Sequence, residues 1–249
     1  MPVTEQRVAL VTGAGSGIGR ATSQRLSERG FHVVYTGRNE DPLEEAAAEA
    51  PFAEARAMDV TDADEVESVI DAVVTEHGHL DLLVNCAGLF GVQRPIPETV
   101  TAEWDLILRV NLTGTFLASR AALRVMGTQK PRGGRIINLG SVSAQVPRPH
   151  AAAYTASKAA VTGLTRSFSL EGRDVDVAVG QLDIGNASTA MSRVHEAGAL
   201  QPDGSKKPEA SVDVGHVAET IAFIAAMPPS VSVPFMTLMA TRMPFMGRG

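Results

Sequence analysis

Sulfur and aromatic side chains are scarce in this 249-residue chain, which holds one cysteine, one tryptophan, two tyrosines and 4% aromatic residues in all. A lone Cys86 excludes an intrachain disulfide and a sulfur-rich zinc knuckle, and it suits a reducing compartment. Positive charge is also short: 22 lysines and arginines face 28 acids, a formal net charge of −6, with no basic block. Nucleic acid is therefore not expected as a partner. Long apolar runs are missing too. The most apolar stretch, Val217 to Ala240, is broken by Glu219, Pro228, Pro229, Ser230, Ser232 and Pro234, so no membrane span is expected. Met1 to Gln6 offers neither a basic region nor an apolar stretch, so no secretory signal is expected either. The expectation is a cytoplasmic protein.

What is present is 44% hydrophobic residues, enough at this length for a core without disulfide or metal staples. Short apolar runs alternate with segments of helical period, the pattern of parallel strands joined by crossover helices. Strands are expected at Val8–Val11, His32–Tyr35, Ala53–Met58, Leu82–Asn85, Arg135–Leu139, Val175–Leu182 and Val233–Met239. Val66, Val69, Ile70, Val73 and Val74 share one helical face, as do Val214, Val217, Ala218, Ile221 and Ile224. Longer helices are expected from about Ala102 to Met126 and from about Ala151 through Leu170, the second ended by Gly172. No repeat, linker or composition break divides the chain. The reading is an α/β fold: one doubly wound, Rossmann-type domain over residues 1–249, with a parallel sheet of about seven strands. Glycines and prolines interrupt residues 187–213, and a connection that long reads as a substrate lid, with a surface insertion as its alternative.

Directly after the first strand comes Thr12-Gly13-Ala14-Gly15-Ser16-Gly17-Ile18-Gly19, followed by a helical pattern. Glycines let a backbone approach a pyrophosphate, and the free N–H groups at a helix start supply positive partial charge. The spacing is neither G-x-G-x-x-G nor a P-loop. At the end of the second strand a carboxylate would bind a ribose 2′-hydroxyl, whereas an arginine would pair with a 2′-phosphate. Gly37 and Arg38 stand there, which favours NADP(H) over NAD(H), with a solvated loop charge as the alternative. Ser16 occupies a place where a base would have strengthened that preference.

Tyr154 and Lys158 lie one helical turn apart, so an ammonium is expected to stand beside a phenol and lower its pKa. With so few tyrosines and lysines in the chain, a chance pairing at this spacing is uncommon. Ser141, at the carboxyl end of the Arg135–Leu139 strand, can hydrogen-bond the same substrate oxygen; Ser143 is its rival.

With these motifs the sequence resembles the short-chain dehydrogenase/reductase family. Asp59-Val60 resembles that family's adenine-contacting pair, Asn85-Cys86-Ala87-Gly88 its Asn-Asn-Ala-Gly turn, and Asn111 the helix asparagine whose backbone holds a water of the proton relay. The resemblance implies that Tyr154 is the general acid/base and that Lys158 lowers its pKa while binding the nicotinamide ribose. It also implies that Ser141 orients the substrate oxygen and that Asn111 anchors the relay. The implied cofactor residues are Gly13, Gly15, Ser16, Gly17, Ile18, Gly19, Arg38, Asp59, Val60, Asn85, Ala87, Gly88, Gly185 and Thr189, together with Tyr154 and Lys158. Two departures stand out. Ile184 replaces the proline of the family's Pro-Gly turn, and Cys86 replaces an asparagine.

His77-Gly78-His79 lacks a nearby third ligand in the sequence, so no metal is expected there. Gly140-Ser141-Val142-Ser143-Ala144 is no nucleophile elbow. The methionine-rich tail from Met243 reads as a subunit interface or a frayed end, and the family resemblance implies a homo-oligomer, dimer or tetramer. Phe90, Gln93, Arg94, Gln145, Arg148 and His150 are the expected rim of a substrate cleft. The expected function is an NADP(H)-preferring oxidoreductase, with NAD(H) as second option, interconverting a small-molecule carbonyl and a secondary alcohol. The alternative is a non-catalytic dinucleotide sensor or scaffold, suggested by the altered Ile184-Gly185 turn.

Overall fold

Runs of valine, leucine and isoleucine too short for helices become strands buried on both faces. The computed structural model describes residues 6–189 and 198–246. Its strands are β1 (Val8–Thr12), β2 (His32–Gly37), β3 (Ala53–Ala57), β4 (Leu82–Asn85), β5 (Gly134–Leu139), β6 (Val177–Ile184), the two-residue β7 (Ala199–Leu200) and β8 (Lys206–Lys207), and β9 (Phe235–Leu238). Seven of them form one parallel sheet in the order β3-β2-β1-β4-β5-β6-β9, while β7 and β8 pair antiparallel. The chain reverses its direction of travel across the sheet between β1 and β4, which opens a crevice at their carboxyl ends.

The helices are α1 (Gly17–Glu28), α2 (Glu40–Ala48), α3 (Ala63–His77), α4 (Thr101–Leu108), α5 (Thr115–Thr128), α6 (Ala152–Gly172) and α7 (Val214–Ala225). Successive residues of β1 serve opposite layers: Ala9 and Val11 pack with Leu26, Val217 and Ile221, whereas Val8 and Leu10 pack with Val66, Ile70 and Phe168. Among the described residues no helix is long and apolar enough to cross a membrane.

One helix expectation needs correction. The segment expected to be one helix from Ala102 to Met126 is α4 and α5 joined by a π-helical stretch, Arg109–Gly114, which widens the turn around Asn111. A side chain on Gly114 would run into Val60 Cγ2, 2.7 Å from where its Cβ would stand. Gly172 is the last residue of α6, as expected, but with a φ of −61° it is not a left-handed stop, and a short 3-10 turn follows. A Cβ on Gly172 would meet the Val177 carbonyl oxygen at 2.5 Å, and the chain reverses only at Asp176, whose φ is 60°. Accordingly β6 starts at Val177 rather than Val175.

Of the expected lid at 187–213, residues 190–197 lie outside the described residues. The remainder is tied to the site. The Ser188 N–H donates to the Val212 carbonyl (2.9 Å), and the Val212 N–H to that of Asn186 (2.8 Å). Arg148 Nη2 donates to Glu209 Oε2 (2.7 Å) and to Asn186 Oδ1 (2.6 Å), while Asn186 Nδ2 and Gln201 Nε2 each reach the Glu209 carboxylate at 3.0 Å. The Arg148 and Glu209 side chains are only 5% and 2% exposed. Burial, the largest single influence on Glu209, favours the neutral acid. The hydrogen bonds from Arg148, Gln201 and Asn186 outweigh it and hold the carboxyl at about 2 instead of 4.5.

A carboxyl held below its unfolded value stabilises the fold above that value, here by ~3 kcal/mol, and this contribution is withdrawn as pH falls from 4.5 towards about 2. Urea unfolding followed by circular dichroism should show stability falling over that window, with a shallower fall in Glu209→Gln. An identical fall in both would contradict the pairing. Arg148→Met, which strands a buried carboxylate, should cost about 3–5 kcal/mol.

Candidate active site

The glycine turn after β1 is shaped by close backbone approach. Gly13 adopts a φ of 67°, and a Cβ there would stand 2.9 Å from Ala87 Cα. Thr12 Oγ1 explains how the neighbouring turn is held, since it accepts from the N–H groups of both Cys86 and Ala87 at 3.1 Å. The turn therefore keeps its shape without an asparagine side chain at position 86. Gly19 faces the Gly13 carbonyl with no room for a side chain. Asp62 and Asp213 cap α3 and α7 with their carboxylates, whereas Ser16 gives α1 no side-chain cap. An uncapped helix start beside a cleft suits a pyrophosphate.

Three adjoining cavities run along the carboxyl ends of the strands. The first is lined by Arg38, Asp59, Val60, Ala87 and Gly88, and it meets the second at Gly13 and Gly88. The second contains Ser16, Gly17, Ile18, Gly19, Lys158 and Thr189, and it shares Tyr154 with a third around Phe90, Ser141, Ser143, Arg148 and Met243. Shape and donors thus fit a dinucleotide: an adenosine end by Arg38, a phosphate stretch over α1 and a reactive end at Tyr154.

At the reactive end, α6 carries Tyr154 and Lys158 on one face. The Lys158 ammonium is buried and donates to the Leu139 carbonyl (2.7 Å) at the tip of β5. It stands 5.8 Å from the centre of the Tyr154 ring. Burial lowers Lys158 to about 8, against the raising influence of Cys86 and Asp183. Burial also dominates Tyr154. It raises the phenol pKa, while the hydrogen bond with Ser141 and the charge of Arg148 pull it down and Asp183 adds to the rise. The expected lowering by Lys158 is thus not what this arrangement gives: the ammonium is turned to a carbonyl, and dehydration of the phenol wins. The Phe90 ring packs on Tyr154 with centres 4.8 Å apart.

Ser141 is buried, and its Oγ accepts from the Ser143 N–H at 3.1 Å. The rival Ser143 shares the cavity, but it is the Ser141 side chain that pulls the Tyr154 pKa down. From β6, the Asp183 carboxylate accepts from Gln181 Nε2 (2.7 Å) and Gln145 Nε2 (3.4 Å), and burial raises its pKa against these bonds and the Ser141 backbone. Asn111 sits in the π-helical stretch. Its Oδ1 accepts from the Leu89 N–H (2.7 Å), and its Nδ2 donates to the Leu89 carbonyl (2.9 Å) and Ser157 Oγ (3.0 Å). The Asn111 carbonyl takes a hydrogen bond from Thr115 Oγ1 at 2.8 Å.

Two expected cofactor residues fall outside the cleft. Asn85 Nδ2 donates to Ser119 Oγ (2.9 Å) and Asn138 Oδ1 (2.8 Å), tying β4 to β5 and α5 beneath it. Gly15 lies against Pro42 and Leu43 of α2. Gly185 lines the substrate end, and its N–H donates to the Leu238 carbonyl (2.9 Å), so the turn stays tied to β9 without the proline. Thr189 reaches back to within 3.5 Å of the position a Gly17 Cβ would take. Sequence reasoning missed Thr12, Thr115, Glu209 and Met243. The last is buried in the substrate wall, where its Sδ accepts from the Asn186 N–H at 3.2 Å, so the tail begins folded onto the site.

Comparison with known proteins agrees with this geometry. A family model described as short chain dehydrogenase matches residues 7–199. An uncharacterized oxidoreductase of Staphylococcus epidermidis is 33% identical over 239 residues, covering 96% of this chain and 99% of that protein. An NAD+-bound xylitol dehydrogenase superposes with a TM-score of 0.84 at 26% identity, covering 94% of this chain and 97% of the other. An alcohol dehydrogenase from Thermococcus sibiricus, complexed with 5-hydroxy-NADP, gives 0.82 at 26% identity, with 96% and 98% covered. A doubly wound sheet, a glycine turn opening on an uncapped helix and a tyrosine, serine and lysine gathered at one end of the cleft accompany these matches, and the chain belongs to the short-chain dehydrogenase/reductase family of NAD(P)-dependent oxidoreductases.

Proposed function

We propose that this protein is an NADP(H)-preferring oxidoreductase that interconverts a small carbonyl compound and a secondary alcohol, with Tyr154 as general acid/base. The observation that carries the reading is the place of Tyr154 where the phosphate-binding and substrate cavities meet, with Ser141 lining the same cavity. A bound nicotinamide dinucleotide supplies or accepts the hydride. The chain does the rest. Ser141 donates to the substrate oxygen and fixes its position, and Tyr154 passes it a proton. Burial keeps the phenol neutral near pH 7, which is the form that can donate, and this supports carbonyl reduction. Lys158, anchored on Leu139, holds the ribose side of the cofactor, and the Asn111 backbone anchors the proton supply. Glu209 holds Arg148 and Asn186, which line the substrate end, from behind.

Cofactor preference rests on Arg38, which is exposed in the adenosine-end cavity beside Gly37. The similar structures include one bound to NAD+ and one to an NADP derivative, so the preference is argued from this chain's own residues. Apart from Arg148, which is engaged by Glu209, the substrate wall is mainly apolar, with Phe90, Val142, Ile184, Ala187 and Met243. That supports a substrate with a hydrophobic flank beside the reacting carbon.

Tyr154→Phe should lower turnover about a hundredfold to ten-thousandfold while dinucleotide affinity, read by fluorescence titration, stays near wild type. Turnover within a few-fold of wild type would remove Tyr154 from the mechanism. Arg38→Ala should weaken NADPH about tenfold to a hundredfold and leave NADH unchanged; equal affinities for the two dinucleotides in both proteins would end the NADP assignment.

A further inference from the structure

At the amino-terminal edge of the sheet, away from the cleft, three side chains from three elements converge. His32 opens β2, Glu54 lies in β3 and His77 ends α3. His77 Nε2 is 3.2 Å from Glu54 Oε1, and His32 Nε2 is 3.9 Å from Oε2 of the same carboxylate. The ring centres are 4.4 Å apart, and one donor atom from each of the three residues lies within 4.8 Å of the others. His32 Nε2 is buried and has no hydrogen-bond partner.

We propose that His32, Glu54 and His77 form a binding site for a divalent transition metal of the zinc class, which clips the edge strand β3 to β2 and α3. Imidazole nitrogens and a carboxylate oxygen are the donors zinc takes, at bonds of about 2.0–2.2 Å; a tetrahedral ion at such distances sets its ligand atoms roughly 3.4 Å apart. His77 Nε2 stands 3.2 Å from one oxygen of the Glu54 carboxylate and His32 Nε2 3.9 Å from the other, so an ion held by both rings and a single oxygen requires the carboxylate and the rings to turn. Three protein ligands leave a fourth position for water, and side-chain exposures of 22%, 27% and 22% for His32, Glu54 and His77 give an ion a way in. Burial, the largest influence, and the charge of His77 lower the His32 pKa, in keeping with a neutral ring whose lone pair is free. Arg56 is the competing cation. It donates to Glu54 Oε1 from Nε (3.1 Å) and Nη2 (3.0 Å), and it also pairs with Glu76. Oε2, the oxygen facing His32, is the one open to the ion. His79, the neighbour in the sequence, pairs instead with Asp81 (3.0 Å) and takes no part.

The test is a titration of the chelator-treated full-length protein with zinc chloride by calorimetry, alongside cobalt(II) followed by its visible absorption. One ion per chain should bind, with the intense bands of tetrahedral cobalt, and zinc should raise the melting temperature. His32→Gln and Glu54→Gln should each weaken binding about tenfold or more and abolish the thermal shift, whereas His79→Gln should behave as wild type. Retained NADPH binding shows that each variant is folded, because the cleft lies at the other end of the sheet. The absence of saturable binding, or equal affinity in wild type and His32→Gln, would overturn the site and leave an ordinary histidine pair resting on a carboxylate.

Discussion

The buried hydrogen bond from the Lys158 ammonium to the Leu139 carbonyl, 2.7 Å long, fixes how the reactive end is assembled. It docks α6 on the tip of β5 at one register, and helical geometry then places Tyr154 one turn earlier on the same face, beside Ser141. A charge in so dry a place is costly unless paired or hydrogen-bonded. Lys158 accordingly drops to about 8, and only the carbonyl, Cys86 and Asp183 ease its burial. Displacing that ammonium would remove the tie between α6 and the tip of β5 that lies one turn from the phenol.

The same dryness governs the phenol. A lysine one turn away invites the conclusion that it makes Tyr154 more acidic, but the geometry gives burial the larger voice. The ligand-free enzyme thus holds a neutral donor, and any lowering has to come from charge brought in with the cofactor and substrate. Catalysis then rests on positioned hydrogen bonds in a low-dielectric pocket, where they count for more than in water. Asp183, bonded from β6 to Gln181 and Gln145 beside the site, is part of that positioning.

Much of this was legible in the sequence. Strands in a sheet covered on both faces write themselves as short apolar runs, so β4 was read to the residue and the other six strands of the large sheet to within two residues at either end, whereas the two-residue β7 and β8 were not read at all. Tyr154, Ser141, Lys158 and the glycine turn were legible because each needs a particular residue type at a particular spacing. The π-helical stretch at Asn111 was not, since one inserted residue leaves the apolar pattern of α4 and α5 almost unchanged. Nor was Glu209, which reads as a solvated loop charge until Arg148, 61 residues earlier, is seen beside it. Asn85 was misjudged because motif position does not say which way a side chain turns at a strand end. Met243 lacked any periodic signal, because a tail folding onto a cavity is a tertiary event.

If a neutral, buried phenol donates the proton, the titration of Tyr154 itself has to show it. With only two tyrosines in the chain, ring-labelled tyrosine followed by carbon NMR gives two signals, and Tyr154→Phe identifies one. The other, Tyr35, is pushed up to about 12 by its burial. In the cofactor-free protein the Tyr154 signal should stay at its protonated position beyond pH 10, the ordinary value for a phenol. Ionisation near neutral pH in that state would contradict the account.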